Sequence, residues 1–250
     1  MSVRYTANGE YLRQDSIITR LNYNDRYTMM LWYYPVAHHA TVNLGFLWHC
    51  NTAITTYDAF GQESVSNGSQ LYVGDNVSGF DYTTGDAIAT ATWHHVSIVR
   101  YSSTLLRGFV NGAQFGTDRT GNVGGRAAAT RTFIGNPSAS YYISARFAHA
   151  KLWNVPLSLE EIQAEMWASA PVTNLGNVVV WSPLMAENRN ADFGPFGLTW
   201  TETGTLSDEA DPEIPRRAAK PVPVRRWWIP PTAAGTSIPV FQHSYRQRRA

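Results

Sequence analysis

Short runs of β-branched and aromatic residues recur throughout residues 1–205, and this pattern restricts the fold more than any other feature. Runs such as YTMMLWYY at 27–34, LGFLWHC at 44–50 and HHVSIVRY at 94–101 are separated by segments rich in Gly, Asn, Asp and Ser. Such runs favour strands, and strands divided by frequent turns are typical of sandwiches and jelly rolls. The sequence therefore predicts an all-β fold, a two-sheet antiparallel jelly-roll sandwich.

Two local signals add detail to this prediction. Asn111-Gly112 joins the runs LLRGFV and AQFGT, and this dipeptide suits a type I′ hairpin turn because both central residues need a positive φ. In LSLEEIQAEMWA, Ser158 and Glu161 have the spacing of a capping box. Leu159, Ile162 and Met166 follow at helical intervals. We therefore expect one tight hairpin and one short helix at the edge of the sandwich.

The composition is consistent with a single large core. Nine Trp, thirteen Tyr and ten Phe supply apolar surface, while only 16% of residues are charged, which is low for a fully solvated surface. Cys50 is the sole cysteine, so an intrachain disulfide is excluded. Its apolar neighbours predict a buried, unreactive thiol.

A change in composition near residue 212 predicts a domain boundary. Seven of the thirteen prolines lie between Asp211 and Ala250, and proline favours extended backbone that cannot enter a central strand. We therefore predict a jelly-roll domain over residues 1–212 and an extended C-terminal arm over residues 213–250.

The arm is basic, whereas the rest of the chain is acidic. Residues 213–250 hold eight basic side chains and one acidic side chain, against 12 basic and 18 acidic in residues 1–212. A linker would not carry adjacent tryptophans, and the many prolines and paired arginines disfavour a nucleic-acid tail. Trp and Arg dominate interface energies, so the sequence predicts a partner-binding arm whose contacts are Arg225, Arg226, Trp227, Trp228, Ile229, Phe241 and Tyr245.

The order of several motifs resembles a known family. WHHVSIVRYSSTLLRGFVNGAQFGT begins at Trp93, FIGN follows at Phe133, and ARFAHAKLWNVPLSLEEIQAEM begins at Ala145. This succession is similar to laminin-G-like domains of the concanavalin A-like lectin and glucanase superfamily. The resemblance covers roughly residues 1–205 and implies a jelly roll, a fold that hosts unrelated functions.

The resemblance also implies a calcium site, because domains of this kind hold the ion on rim loops through oxygen ligands. The segment VGDNVSGFDYTTGD offers Asp75, Asn76 and Asp81 as ligands, with Asp86 nearby. The same residue types build Asx turns without a metal, and that alternative stays open. Calcium is thus the one cofactor to consider, and no other cofactor is predicted.

Catalysis is not predicted for this chain. Glucanases of the superfamily carry acids on a central strand, and Glu209, Asp211 and Glu213 match that spacing formally, but Pro212 between them does not fit a central strand. His94 and His95 follow Trp93 on a strand expected to be structural. We predict no catalytic residues and no enzymatic activity, with glycoside hydrolysis as the weakest alternative.

Two functions fit these observations. The resemblance extends to structural proteins of tailed phages, so the leading hypothesis is a virion protein, a capsid decoration or fibre-like part, whose arm binds sister subunits or another virion protein. The alternative is a lectin with calcium-assisted rim loops, in which exposed aromatic side chains would contact a glycan, the candidates being Trp48, Tyr57, Phe60, Tyr141 and Tyr142.

The expected location is the virion, after synthesis in the cytoplasm. The N-terminal segment MSVRYTANGEYLRQ has no apolar core of a signal peptide. No run of about 18 apolar residues is present, so no membrane partner is predicted, and nucleic acid is disfavoured.

Overall fold

The computed structural model describes residues 2–7, 9–15, 26–38, 44–51, 53–55, 57–63, 70–76, 80–120, 131–137, 143–184, 189–210 and 212. All of them fall within the unit Met1–Arg216. The predicted arm, residues 213–250, lies outside the described residues.

One sheet has eight strands, all paired antiparallel. Its order is β10-β9-β8-β3-β12-β1-β15, and β13 also pairs with β12. The strands are β1 (Ser2–Tyr5), β3 (Tyr27–Pro35), β8 (His94–Ser102), β9 (Leu105–Val110), β10 (Ala113–Thr120), β12 (Ala145–Trp153), β13 (Val178–Ser182) and β15 (Ser207–Glu209).

The other sheet has seven antiparallel strands in the order β14-β2-β11-β4-β5-β6-β7. They are β2 (Tyr11–Gln14), β4 (Leu44–Cys50), β5 (Tyr57–Gln62), β6 (Gln70–Asn76), β7 (Phe80–Ala87), β11 (Arg131–Gly135) and β14 (Thr201–Thr203). The prediction of a two-sheet antiparallel sandwich is confirmed.

The core lies between the two sheets, where side chains from alternate strand positions meet. Tyr33 of the eight-stranded sheet stacks on Phe46 of the other sheet with a centroid distance of 4.2 Å, and Phe147 lies 5.6 Å from both rings. All three side chains are fully buried. Aromatic packing across the sheets thus supplies much of the apolar area that stabilises the sandwich. Cys50 is also buried, as predicted.

A buried ion pair also joins the two sheets. Arg100 on β8 donates from Nη1 to both carboxylate oxygens of Asp58 on β5, at 2.9 and 2.8 Å. The Tyr27 hydroxyl donates to the same carboxylate. The arginine and aspartate side chains are both 0% exposed. The contact between the two charges therefore replaces interactions with water that each has lost on burial.

The predicted hairpin is confirmed. Asn111 and Gly112 connect β9 to β10 with φ angles of 52° and 74°. Glycine has no Cβ and tolerates this left-handed region, and asparagine is one of the few other residues that enters it readily. The dipeptide therefore reverses the chain without a longer loop.

The predicted helix is confirmed as α1 (Leu159–Met166), followed by a 3-10 helix (Leu175–Asn177). Ser158 accepts a hydrogen bond from the Glu161 backbone N–H, and the Glu161 carboxylate accepts one from the Ser158 N–H. Leu157 and Ile162 pack with Met30 and Trp153 on the outer face of the eight-stranded sheet. Within the described ranges, no helix has both the length and the apolar character needed to span a membrane.

The helix is also tied to the sheet by charge. Lys151 on β12 is buried and donates from Nζ to Glu165 Oε2 at 2.7 Å. The other carboxylate oxygen of Glu165 accepts from the Val172 and Thr173 N–H groups. These bonds fix the segment that follows α1 against the outer face of the eight-stranded sheet.

Candidate functional site

A cleft of about 540 Å³ opens at one edge of the sandwich, and we call it the rim cleft. The end of β7 and the residues that follow it form one wall, and the β9–β10 hairpin forms the other. The lining residues are Ala87, Ile88, Ala89, His94, Val110, Asn111, Ala113, Gln114, Phe115 and Gly116. This volume is within the range of about 300–1,000 Å³ usual for small-molecule sites.

His94 and Asn111 form a connected polar group in the rim cleft. His94 Nε2 lies 3.0 Å from the Ala89 carbonyl oxygen. A carbonyl only accepts, so Nε2 carries the proton and Nδ1 is left as an acceptor. The amide nitrogen of Asn111 lies 3.4 Å from that Nδ1, and its Oδ1 accepts from the His95 backbone N–H at 2.9 Å. Both side chains are therefore held in place before any ligand arrives.

Asn111 serves the turn and the cleft at once. Its left-handed backbone sets the hairpin, and this places its amide beside the first residue of β8. The amide nitrogen carries two N–H groups, and the contact with His94 uses one of them. The turn chemistry of β9–β10 thus also delivers a hydrogen-bonding group to the cleft.

The remaining lining is apolar or uncharged. Ile88, Val110 and Phe115 give the cleft an apolar side, and Gln114 is an exposed amide whose nitrogen donates to Asp118 Oδ1 at 2.8 Å. No described residue of the lining is Asp, Glu, Lys or Arg. The cleft therefore combines apolar contact with neutral hydrogen-bonding groups.

His38 supports the wall formed by the residues after β7. Its Nε2 lies 3.2 Å from the Ile88 carbonyl oxygen. Burial lowers the pKa of this imidazole below its usual range, with a smaller contribution from His94. A neutral His38 therefore holds the wall through a hydrogen bond at neutral pH.

The residues predicted to bind calcium lie on β6 and β7. Asp75 is 2% exposed and pairs across the sheet with Asp81, and Arg119 Nε lies 3.4 Å from Asp75 Oδ2. The side chains of Asn76 and Asp81 lie outside the described residues. Among the side chains that are described, no group of three or more His, Cys, Asp or Glu could hold a metal.

Three of the aromatic residues predicted to contact a glycan are described, and they do not form one exposed cluster. Trp48 and Tyr57 lie 4.7 Å apart on the outer face of the seven-stranded sheet, but Trp48 is only 9% exposed and Phe60 is a fully buried core residue. Tyr141 and Tyr142 lie outside the described residues. Phe60 is thus no contact for a ligand, because its side chain faces the other sheet.

The remaining predicted positions are the acidic residues near Pro212 and the residues of the arm. Glu209 is the last residue of β15 and pairs with Arg4 at 2.9 Å. Asp211 and Glu213 lie outside the described residues. So do the arm residues predicted to bind a partner, which are Arg225, Arg226, Trp227, Trp228, Ile229, Phe241 and Tyr245.

The sequence did not identify the rim cleft. His94 was expected to be structural, and Asn111 was expected only to form a turn. The sequence did contain one signal. A histidine begins β8, an asparagine forms the turn of the next hairpin, and the pairing of β8 with β9 places Asn111 beside His95. The wall formed by the end of β7 and the residues after it belongs to the other sheet, and no local sequence signal predicts that it meets the hairpin.

Comparison with known proteins agrees with this architecture. The family model described as "Concanavalin A-like lectin/glucanases superfamily" matches residues 7–163. Among curated proteins, no sequence matches the chain.

Two solved structures share the fold. A putative carbohydrate binding protein from Bacteroides ovatus has a TM-score of 0.58 and 11% identity, over 84% of this chain and 61% of that chain. A heptameric SAP-like pentraxin from Limulus polyphemus has a TM-score of 0.55 and 13% identity, over 82% of this chain and 93% of that chain. At such identities the likeness is one of fold.

Proposed function

The chain belongs to the concanavalin A-like lectin/glucanases superfamily, and from this premise we propose that its jelly roll is a non-enzymatic carbohydrate-binding domain whose rim cleft takes a neutral saccharide. The observation that carries the proposal is the lining of that cleft. Apolar side chains face uncharged polar ones around a volume of about 540 Å³.

This lining suits the chemistry of a sugar. A pyranose ring has apolar C–H faces, for which Ile88 and Val110 offer contact, and hydroxyl edges that require donors and acceptors. His94 and Asn111 are already oriented by each other, so little ordering is needed when a ligand binds. Among the residues that the structure describes, the lining of the cleft holds no charged side chain, which favours a neutral sugar over an acidic one.

The fold comparison supports the same class of function. The structure with a TM-score of 0.58 is named as a putative carbohydrate binding protein. That name describes the Bacteroides ovatus protein, and the proposal for this chain depends on its own cleft.

The test is calorimetric titration of the full chain with maltotriose, cellotriose and trigalacturonate. We expect a neutral trisaccharide to bind and Asn111→Gly to weaken that binding by about tenfold, the effect of one or two lost hydrogen bonds. Glycine keeps the left-handed turn, so the variant removes the amide without disturbing the hairpin.

Asn174→Gly is the matched control. Asn174 also has a left-handed backbone, with φ of 44°, but its amide bonds to Glu161 beside α1 and it does not line the cleft. The Asn174→Gly variant should bind the neutral trisaccharide as tightly as the native chain does. Equal binding by the Asn111→Gly variant, or no binding of any neutral saccharide across a wider glycan array, would count against the proposal.

Calcium is a separate variable in this test. Asp75 is buried beside Arg119, so its carboxylate is poorly suited to bind calcium. The proposed saccharide binding does not depend on the ion. The calcium prediction for Asp75, Asn76 and Asp81 is tested by repeating the titrations in calcium and in EDTA. Binding that requires calcium would support that prediction.

A second proposed function is assembly into a phage virion through the arm. It is favoured by the opposite charges of the two parts of the chain, since residues 213–250 are basic and residues 1–212 are acidic. Charge complementarity of this kind steers association, and a sister subunit or another virion protein would supply the acidic surface. Deletion of residues 213–250 should abolish incorporation into particles and leave saccharide binding unchanged. Unchanged incorporation would contradict the assembly proposal alone.

A further inference from the structure

Four side chains form a row across the outer face of the eight-stranded sheet, and we call it the arginine–aromatic row: Trp93, Tyr34, Arg146 and Arg4. Arg146 on β12 is directly opposite Tyr34 on β3 and Arg4 on β1. Trp93 directly precedes β8, whose first residue His94 is opposite Tyr33. Adjacent strands lie about 4.8 Å apart, so the row is about 14 Å long.

One end of the row is aromatic. The rings of Tyr34 and Trp93 lie 5.2 Å apart with an angle of 59° between their planes. Both side chains are half-buried, so part of each ring is accessible. The Arg146 guanidinium carbon lies 4.7 Å from the Tyr34 ring centroid, which is within the range of a cation–π interaction.

The other end of the row has an excess of positive charge. Arg4 Nη1 lies 2.9 Å from Glu209 Oε1, and Arg146 Nη2 lies 3.6 Å from Glu209 Oε2. A single carboxylate therefore serves two guanidinium groups, and a net charge of about +1 is left. The three side chains are 33%, 22% and 27% exposed, so solvent and ligands reach them.

The two arginines also have unused hydrogen-bonding capacity. Each guanidinium has five N–H donors, and the contacts to Glu209 involve one Nη atom of each arginine. The Nε atoms are buried, so the N–H groups that can donate to a ligand are those on the exposed ends of the two side chains. The Arg4 hydrogen bond keeps the pKa of Glu209 below its usual range, so this carboxylate stays ionised and bridges the pair at neutral pH. Each oxygen of the Glu209 carboxylate therefore faces one of the two guanidinium groups.

We propose that the arginine–aromatic row is a second ligand site, which binds an acidic saccharide with a pyranose ring against Tyr34 and Trp93 and its carboxylate at Arg146 and Arg4. Aromatic faces contact the C–H face of a sugar, and arginine binds carboxylates in a planar, directional way. Charge complementarity selects the acidic ligand, in contrast to the uncharged rim cleft. The site does not depend on the cleft, and its outcome is separate from that of the proposed function.

The test is titration of the full chain with trigalacturonate, with galactotriose as the neutral counterpart. We expect trigalacturonate to bind, and Arg146→Gln and Arg4→Gln each to weaken it by about tenfold, as expected for the loss of one charged hydrogen bond. Glu209→Gln should strengthen binding several-fold, because it removes the negative charge that competes with the ligand. If these residues had a purely structural role, Glu209→Gln would not strengthen the binding of trigalacturonate.

Arg107→Gln is the matched control variant. Arg107 also lies over a tyrosine, 5.1 Å from the Tyr101 ring, and pairs with Asp118, but among the described residues no second arginine pairs with that carboxylate. Its binding of trigalacturonate should equal that of the native chain. Melting temperatures and circular dichroism of all variants establish that each one is folded.

Several results would overturn the proposal. These are a loss of galactotriose binding in the Arg146→Gln variant as large as its loss of trigalacturonate binding, unchanged or weaker trigalacturonate binding by the Glu209→Gln variant, or a loss in the Arg107→Gln variant as large as that in Arg146→Gln. Binding of an oligoglutamate peptide as tightly as trigalacturonate would assign the row to an acidic protein segment instead. A dimer of the native chain that Arg146→Gln dissociates would assign it to a second copy.

Discussion

The same chemical pair, an arginine and a carboxylate, occurs in two contrasting places in this protein. Arg100 and Asp58 lie between the sheets with both side chains 0% exposed. Arg4 and Glu209 lie on the outer face of the eight-stranded sheet, with 33% and 27% of their side chains exposed. The distances are similar, at 2.8 and 2.9 Å.

The difference between these pairs is solvent. Between the sheets, each charge has lost its water and depends on its partner, so loss of one partner is costly. On the outer face, water screens both charges, so the pair contributes little to stability and the exposed part of the arginine stays accessible to a ligand. Burial therefore decides whether an ion pair supports the fold or can serve binding.

The largest effect is expected from Arg100→Met. It removes the Arg100 cation from the buried Asp58 carboxylate, and such a loss costs about 3–5 kcal/mol of unfolding free energy. Chemical denaturation of the native chain and the variant measures the difference.

The double variant Asp58→Asn, Arg100→Met is the control. It removes both charges, so it should be more stable than Arg100→Met alone. If Arg100→Met lowers the unfolding free energy by less than about 1 kcal/mol, the typical value of an exposed pair, burial does not distinguish the two ion pairs.

The next effect is a loss of stability in acid caused by His95. Burial, with a smaller contribution from the Lys151 charge, lowers the pKa of this imidazole to about 3, from 6.5 in the unfolded chain. Below pH 6.5 the unfolded chain takes up a proton that the folded chain refuses, so stability falls as the pH is lowered towards 3. The slope for one proton is about 1.4 kcal/mol per pH unit.

His95→Gln tests this slope, since glutamine does not titrate. The unfolding free energy of the variant should depend less steeply on pH between 6.5 and 4 than that of the native chain. The comparison uses slopes, so any constant loss of packing against Trp32, 5.4 Å away, does not affect it. Parallel pH profiles would show that His95 is protonated in the folded state.

The smallest effect is expected from Arg4→Gln. This pair is partly exposed, and pairs of that kind contribute about 0–1 kcal/mol. Denaturation in low and high salt should give nearly the same small difference from the native chain. A loss comparable to that of Arg100→Met would mean that the outer face also depends on its charges for stability.

Much of the fold could be predicted from the sequence, because its signals are local. The hairpin at Asn111-Gly112 follows from backbone preference, and the start of α1 follows from the Ser158 and Glu161 capping box. Both signals lie within a few residues of the structure that they specify. Strand positions likewise follow from the alternation and composition of runs such as Tyr27–Pro35.

The candidate sites could not be predicted, because their parts come from distant segments. Asp58 and Arg100 are 42 residues apart, and Arg4 and Glu209 are 205 apart. The rim cleft joins the end of β7 to the β9–β10 hairpin of the other sheet. Phe60 was placed among ligand contacts because its sequence neighbours do not reveal which face of the sheet it occupies.

The sequence by itself determined the class of fold, the position of its hairpin and helix, and the opposite charges of residues 1–212 and 213–250. These depend on composition and on interactions between near neighbours. Only the tertiary structure decided which charges are buried, which polar groups meet at the rim cleft, and that two arginines share one carboxylate on the outer face. Strand pairing brings these residues together, and the solvent that remains around them sets whether their charges stabilise the fold or stay free for a ligand.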